Sequence, residues 1–179
     1  QLTDAQVVEN ASEQKEKHAE VERTTHKKSG IIVKGLTDVA VHFSKCCSPV
    51  PGDEIVGFVT RGRGVSIHRT DCVNIINFPA NERARLIEAE WEQGQTAGDT
   101  YEVEINIFAN NRTGLIVDIS RMFTEAEIDV KSMNIRTSKK QGTATIETGF
   151  IVHGREELGR VIEKLRQLES VIDIERTVG

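Results

Sequence analysis

The sequence predicts an α+β protein in two parts: a small β-rich module that holds every cysteine, then a β-α-β-β-α-β unit. Three observations carry this. All three cysteines, Cys46, Cys47 and Cys72, fall in one stretch of the 179-residue chain. Short runs in which apolar and polar residues alternate occur on both sides of a glycine-bearing polar break, Gln93 to Asp99. Two long apolar stripes at helical spacing follow that break.

Residues 1–28 are polar and carry both charges, with Leu2, Val7, Val8 and Val21 as their few apolar members. Such a segment buries little surface, so it reads as a solvated helical or disordered linker, with His18 and His26 in water. The chain begins at Gln1, which suggests a piece of a longer protein.

Residues 29–95 read as the cysteine module. Ile31-Ile32-Val33 is its first apolar run, and Val39, Val41 and Phe43 alternate with Ala40 and His42. Pro49-Val50-Pro51-Gly52 is turn chemistry. Ile55 to Val59 and Val65 to His68 read as a hairpin whose tip is Arg61-Gly62-Arg63-Gly64. Asp71 is a candidate N-cap for a helix from Cys72 to Phe78, and Leu86 to Trp91 reads as a last strand. With one Trp, one Tyr and six Phe in the whole chain, a small core stapled by a metal or a partner fits better than one large core.

Residues 96–99 read as the linker. In residues 100–179, Tyr101, Val103, Ile105 and Ile107 alternate with polar neighbours as a strand. Leu115, Ile119, Met122, Phe123 and Ala126 stripe a helix. Ile128 to Thr137 and Thr143 to Val152 form a hairpin across Ser138 to Gly142, Leu158 to Leu168 stripe a second helix, and Ile172 and Ile174 mark a final strand. This order predicts the split βαβ, ferredoxin-like arrangement, with both helices on one face of a four-stranded antiparallel sheet.

No apolar run approaches bilayer length and no signal-peptide pattern is present. An odd cysteine count without such a signal points to a reducing, cytoplasmic compartment. The net charge of -5 argues against nucleic-acid binding through bulk charge but leaves room for a local basic patch.

Three groups of residues carry candidate chemistry. Twenty residues separate Cys47 from His68, enough for a hairpin that would bring Cys46, Cys47, His68 and Cys72 together. Three thiolates and an imidazole are a zinc-type set. The competing reading is three small buried thiols and a surface histidine. Lys45, Arg61, Arg63 and Arg69 suit phosphate contacts, or else make a solvated charged hairpin. In Asn111-Arg112-Thr113-Gly114-Leu115 a glycine precedes a helix start, which suits a carboxylate ligand or an ordinary strand-to-helix turn.

The run Ser44-Lys45-Cys46-Cys47-Ser48-Pro49-Val50-Pro51-Gly52-Asp53, with Gly57 to Val65 and Ile67-His68-Arg69-Thr70-Asp71-Cys72, resembles the conserved-cysteine, zinc-finger-like domain of long RelA/SpoT proteins. Asn111 to Ile119 in the first turn and helix, with Val130 to Arg136 on the second strand, resembles an ACT domain. The pair resembles the C-terminal regulatory end of the (p)ppGpp synthetase/hydrolases of the stringent response.

The resemblance implies Cys46, Cys47, His68 and Cys72 as zinc positions and Asn111, Arg112, Thr113, Gly114, Leu115 and Asn134 as ligand positions. It implies valine or isoleucine as a branched-chain effector, homodimerisation through the ACT domain, and control of N-terminal catalytic domains. It also implies contact with ribosomal RNA, with tRNA a further candidate, through Lys45, Arg61, Arg63 and Arg69. Many ACT turns have an acidic residue where Asn111 stands. No catalytic constellation is present: Asp53 and Asp71 are isolated turn carboxylates, and no activity is expected of this chain. The rival reading is a dimeric amino-acid sensor without an RNA role. A weaker one is a redox element in which Cys46 and Cys47 react, although adjacent cysteines form a strained disulfide.

Overall fold

The computed structural model describes residues 30–94 and 98–177. The readings of residues 1–28, including His18 and His26, and of Thr96 and Ala97 lie outside the described residues.

The first part contains β1 (Ile31–Val33), β2 (Val41–Phe43), β3 (Ile55–Val59), β4 (Val65–Arg69), a short α1 (Val73–Ile76), one 3-10 turn (Arg83–Arg85) and β5 (Leu86–Trp91). The five strands form one sheet in the order β1-β5-β3-β4-β2. Within it β2 runs parallel to β4, and the other pairs are antiparallel. Ile31, Val33, Val65, Ile67 and Ala89 make a small core.

The tip of the β3–β4 hairpin needs a glycine. Gly64 sits at φ 77°, and a Cβ there would lie 2.0 Å from the Ala40 carbonyl oxygen. That same oxygen accepts the Val65 N–H at 2.8 Å, which stitches β4 to the residue before β2.

Two local expectations change. The helix after Cys72 is one turn, Val73–Ile76, and its N-cap is Cys72 itself. Asp71 makes no cap; its carboxylate pairs with the Arg69 guanidinium. A buried arginine head outbids an exposed helix turn for the same carboxylate, because only the former would otherwise lack a counter-charge.

The second part contains β6 (Tyr101–Asn110), α2 (Leu115–Glu125), β7 (Val130–Ser138), β8 (Thr143–Val152), α3 (Arg155–Arg166) and β9 (Val171–Arg176). The antiparallel sheet has the order β7-β8-β6-β9, as the ferredoxin-like prediction requires. Val103, Ile105, Ile107 and Ala109 of β6 and Ala144, Ile146 and Phe150 of β8 face the helices. Leu115, Ile119 and Phe123 of α2 and Leu158, Val161 and Leu165 of α3 close that core.

The two parts share a packed seam. Val50, from the turn after the cysteine pair, is 0% exposed and lies in the core of the second part. Phe43 stacks on Trp91 at 5.6 Å, and Tyr101 meets both rings edge-on at 5.7 Å. Polar contacts lock the same turn. Arg176 of β9 holds Asp53 through two bonds of 2.8 Å and donates to the Ser48 carbonyl at 3.0 Å. The Arg155 N–H donates to the Pro51 carbonyl at 2.9 Å, and the Trp91 indole N–H to the Asp53 carbonyl at 2.9 Å.

Candidate functional site

The strand β4 and the turn after β2 converge at their ends, because β2 pairs with β4 from Val41↔Val65 to Phe43↔Ile67. The next residues on each side are then the thiols and the imidazole. The ligand atoms of Cys46, Cys47, His68 and Cys72 all lie within 4.8 Å of one another. The Cys46 sulfur is 3.3 Å from His68 Nδ1 and 3.5 Å from the Cys72 sulfur, and the Cys47 sulfur is 3.9 Å from the same Nδ1.

A tetrahedral ion with metal–sulfur bonds near 2.3 Å and metal–nitrogen bonds near 2.05 Å would set sulfurs about 3.8 Å apart and sulfur and nitrogen about 3.6 Å apart. The three separations just given match these within a few tenths of an ångström, and the whole set spans no more than 4.8 Å. A second layer orients it: His68 Nε2 is 3.1 Å from the Ser66 hydroxyl, and the Arg69 N–H donates to the Cys47 sulfur at 3.3 Å.

The electrostatics differ from one ligand position to the next. Burial pushes the Cys47 and Cys72 thiols up. At Cys46 burial acts in the same sense, but hydrogen bonds, the Ser44 hydroxyl first among them, outweigh it and hold this thiol below its ordinary range. Burial pushes His68 down, so its imidazole stays neutral and keeps a lone pair for an ion. A Cys3His cluster of this shape can coordinate a metal ion such as zinc.

The basic quartet is not gathered. The hairpin tip with Arg61 and Arg63 lies beyond the Val59↔Val65 end of β3–β4, whereas Lys45 sits at the opposite, cysteine end. Four strand steps separate the ends, or about 13 Å. Arg69 leaves the set altogether: it is 7% exposed, pairs with Asp71, and donates to the carbonyls of Cys47 at 3.4 Å and Thr177 at 3.5 Å. It ties the cluster to the second part instead of facing a phosphate. Its phase along the strand, opposite to His68, was the one signal that could have separated it. Arg61 reaches Glu82 at 3.7 Å, and Arg63 and Lys45 are exposed.

The Asn111 to Leu115 turn does form at the start of α2, with Gly114 as N-cap at φ 81°. The Arg112 guanidinium, however, is already engaged by Asp118 and the Ser170 hydroxyl, each at 2.5 Å. Asn134 does not join that turn within the chain. Its partner across the hairpin is Glu147, four steps from the Ser138↔Thr143 end, and the two side chains bond at 3.1 Å. Its strand phase puts it with Glu147 and Asn106, whereas the helices cover the opposite face. The residues that sequence reasoning missed are Asp53, Arg155 and Arg176, which lock the seam. Asp53 and Arg176 are 123 positions apart, and no spacing rule links them.

The cysteine module and the βαββαβ unit thus define a two-domain α+β protein with a Cys3His cluster in its first part. Residues 31–92 match the RelA/SpoT RIS domain and residues 97–176 match an ACT domain. This RIS-then-ACT pair matches the corresponding domains of RelA/SpoT-type GTP pyrophosphokinases. It is 37% identical over 149 residues to the GTP pyrophosphokinase of Escherichia coli, covering 83% of this chain and 20% of that one. It is 38% identical over 150 residues to that of Streptomyces coelicolor, covering 84% of this chain and 17% of that one. The ACT domain from a Chlorobium tepidum GTP pyrophosphokinase has a TM-score of 0.40 and 18% identity, over 44% of this chain and 99% of that one. The chain spans about a fifth of the length of the two relatives and corresponds to a regulatory portion of them, not the catalytic core. No described helix is long and apolar enough to cross a membrane.

Proposed function

We propose that this chain is a sensing region of a cytoplasmic (p)ppGpp synthetase/hydrolase of the stringent response. Its ACT domain, residues 100–179, binds a free amino acid of the branched-chain class, valine or isoleucine, and pairs with a second ACT domain. Its RIS domain, residues 29–95, holds zinc at Cys46, Cys47, His68 and Cys72. Bound zinc would supply a structural cross-link that holds the thiolates deprotonated. The signal passes to catalytic domains on the N-terminal side as a shift between two states of the enzyme.

The observation that carries this is the seam. Val50, Asp53 and Pro51 belong to the turn that continues from Cys46-Cys47, and all three are held by the ACT domain. A change at the ACT domain therefore acts directly on the turn that bears two of the thiols. Titration calorimetry of the chain with valine, isoleucine and leucine, with zinc assayed on the same sample, tests it. Saturable heat and close to one zinc per chain are expected. Absence of binding to all three removes the sensing role.

A second reading keeps ribosomal RNA as partner, through exposed Lys45, Arg61 and Arg63. Phosphate contacts weaken steeply with salt. RNA binding that does not fall between 50 and 200 mM salt (about tenfold or more for a few phosphate contacts) would refute it.

A further inference from the structure

The four donors of the Cys3His cluster are not equivalent. Of the three cysteines, Cys46 alone is partly exposed, whereas Cys47 and Cys72 are 1% and 0% exposed. The Cys46 sulfur lies 3.5 Å from the Cys72 sulfur, 26 positions along the chain. Two polar groups also touch it, the Ser44 hydroxyl at 3.0 Å and His68 Nδ1 at 3.3 Å. An accessible sulfur with polar neighbours and a second thiol in contact is the setting in which cysteine oxidises selectively.

Geometry decides which pair can close. Cys46 and Cys47 are neighbours in the chain, so their Cα atoms stand about 3.8 Å apart, below the window of about 4.4–6.8 Å that a relaxed disulfide takes. The Cys47 sulfur is also buried and accepts the Arg69 N–H at 3.3 Å. Cys46 and Cys72 come from different turns, one after β2 and one at the start of α1, and their sulfurs already meet.

We infer that Cys46 is a peroxide-reactive thiol and that Cys72 resolves it. In the first step the Cys46 sulfur attacks one oxygen of hydrogen peroxide and the O–O bond breaks, which gives a sulfenic acid on Cys46 and one water. In the second the Cys72 sulfur attacks the Cys46 sulfur, and the displaced hydroxyl leaves as water with the Cys72 thiol proton. Over both steps two thiols lose two electrons and the peroxide gains them, so the products are one disulfide and two waters.

The oxidised pair removes two of the four donors, and Cys47 with His68 is too few for a four-coordinate site. Metal and disulfide are therefore alternative cross-links between the same two turns. The first of those turns runs on into Val50 and Asp53, which the ACT domain holds. This oxidation needs neither an amino-acid ligand nor RNA.

The test is a non-reducing peptide map of the 179-residue chain, stripped of metal and treated with hydrogen peroxide. Trypsin cuts after Lys45, Arg61, Arg69 and Arg83, so Cys46-Cys47 and Cys72 leave on separate peptides. Free thiols should fall from three to one, with peptide 46–61 cross-linked to peptide 70–83, and dithiothreitol should restore all three. Cys47→Ser should keep the cross-link. Cys46→Ser should slow oxidation about tenfold or more, and Cys72→Ser should stop at a sulfenic acid that dimedone traps on Cys46. Circular dichroism checks that the variants fold, and the wild-type map carries the test if one does not. Bound zinc should slow the reaction about tenfold or more and leave the protein in step with the cross-link. A disulfide within peptide 46–61 or between chains overturns the pairing, as does full reactivity of Cys46→Ser. Three free thiols after an exposure that oxidises free cysteine overturn the peroxide chemistry altogether.

Discussion

Removing the Asp53 carboxylate should loosen the whole molecule, because that one group accepts three hydrogen bonds, two of them across the seam. Its side chain is 6% exposed and that of Arg176 is 15% exposed. Asp53 accepts both guanidinium N–H groups of Arg176 at 2.8 Å and the Val50 N–H at 2.9 Å. In Asp53→Ala the arginine charge stays largely buried without a partner, and the Val50 N–H loses its acceptor. Breaking one side of a buried pair costs about 3–5 kcal/mol. For a chain of this length each kcal/mol moves the midpoint by about 2–4 °C, so a fall of roughly 6–20 °C is expected.

Trp91, the only tryptophan, donates to the Asp53 carbonyl and stacks on Phe43, so its fluorescence reports the seam directly. Urea unfolding followed by that signal and by circular dichroism measures the loss. The double variant Asp53→Ala with Arg176→Met should recover part of it, since the uncompensated charge is gone.

A pH series gives a second readout. Burial pushes the Asp53 carboxyl up, but the bonds from Arg176 and Val50 outweigh it and hold the group below its ordinary range. A depressed folded value means the stabilisation is present above the unfolded value, about 3.9, and is lost as the pH falls through the folded one. Wild type should therefore lose stability in that acid window, and Asp53→Ala should not show this component. A variant with an unchanged midpoint and an unchanged Trp91 signal would refute the reasoning, since it would mean that the pair is fully solvated.

Further expectations follow from single contacts. Chelation of a bound metal should lower the melting midpoint by roughly 6–12 °C, taking about 3 kcal/mol of ligand-linked stability. Three thiols should then react quickly with a disulfide reagent that they resist beforehand; rapid reaction of all three in untreated, metal-loaded protein would refute the shared site. Gly64→Ala should cost about 3 kcal/mol or more, because a Cβ would enter the Ala40 carbonyl at a left-handed φ, and a normal urea midpoint would contradict it. Arg69→Ala should destabilise by about 2–4 kcal/mol, since it unlinks Asp71, Cys47 and Thr177; a loss of RNA affinity at unchanged stability would instead restore its place in a basic patch.

Period and punctuation carried most of the second domain. Alternation in β6 and β8 and the stripes of α2 and α3 arise because one face of each element must be dry, and that requirement is local in sequence. The donor set Cys46, Cys47, His68 and Cys72 was legible for a related reason: soft ligands are rare, and two turns hold all of them. The helix after Cys72 was overdrawn because Val73, Ile75 and Ile76 look like a stripe, yet Val73 and Ile76 stand in solvent and no core rewards a longer helix. Arg69 was placed by residue type, and burial then tied it to Asp71, Cys47 and Thr177; Asn134 came from the ACT resemblance, and its strand pairs it with Glu147.

The sequence by itself determined the α+β order, the two cores and the thiol cluster, since each depends on neighbours in the chain or on chemically distinctive residues. Only the tertiary structure decided that Val50 belongs to the other domain's core, that Asp53 answers Arg176, and that Lys45 and Glu102 share a cleft. Those pairings form between turns and strand ends with no periodicity. Packing and charge neutralisation across the seam select them, and neither leaves a mark in the spacing of residues.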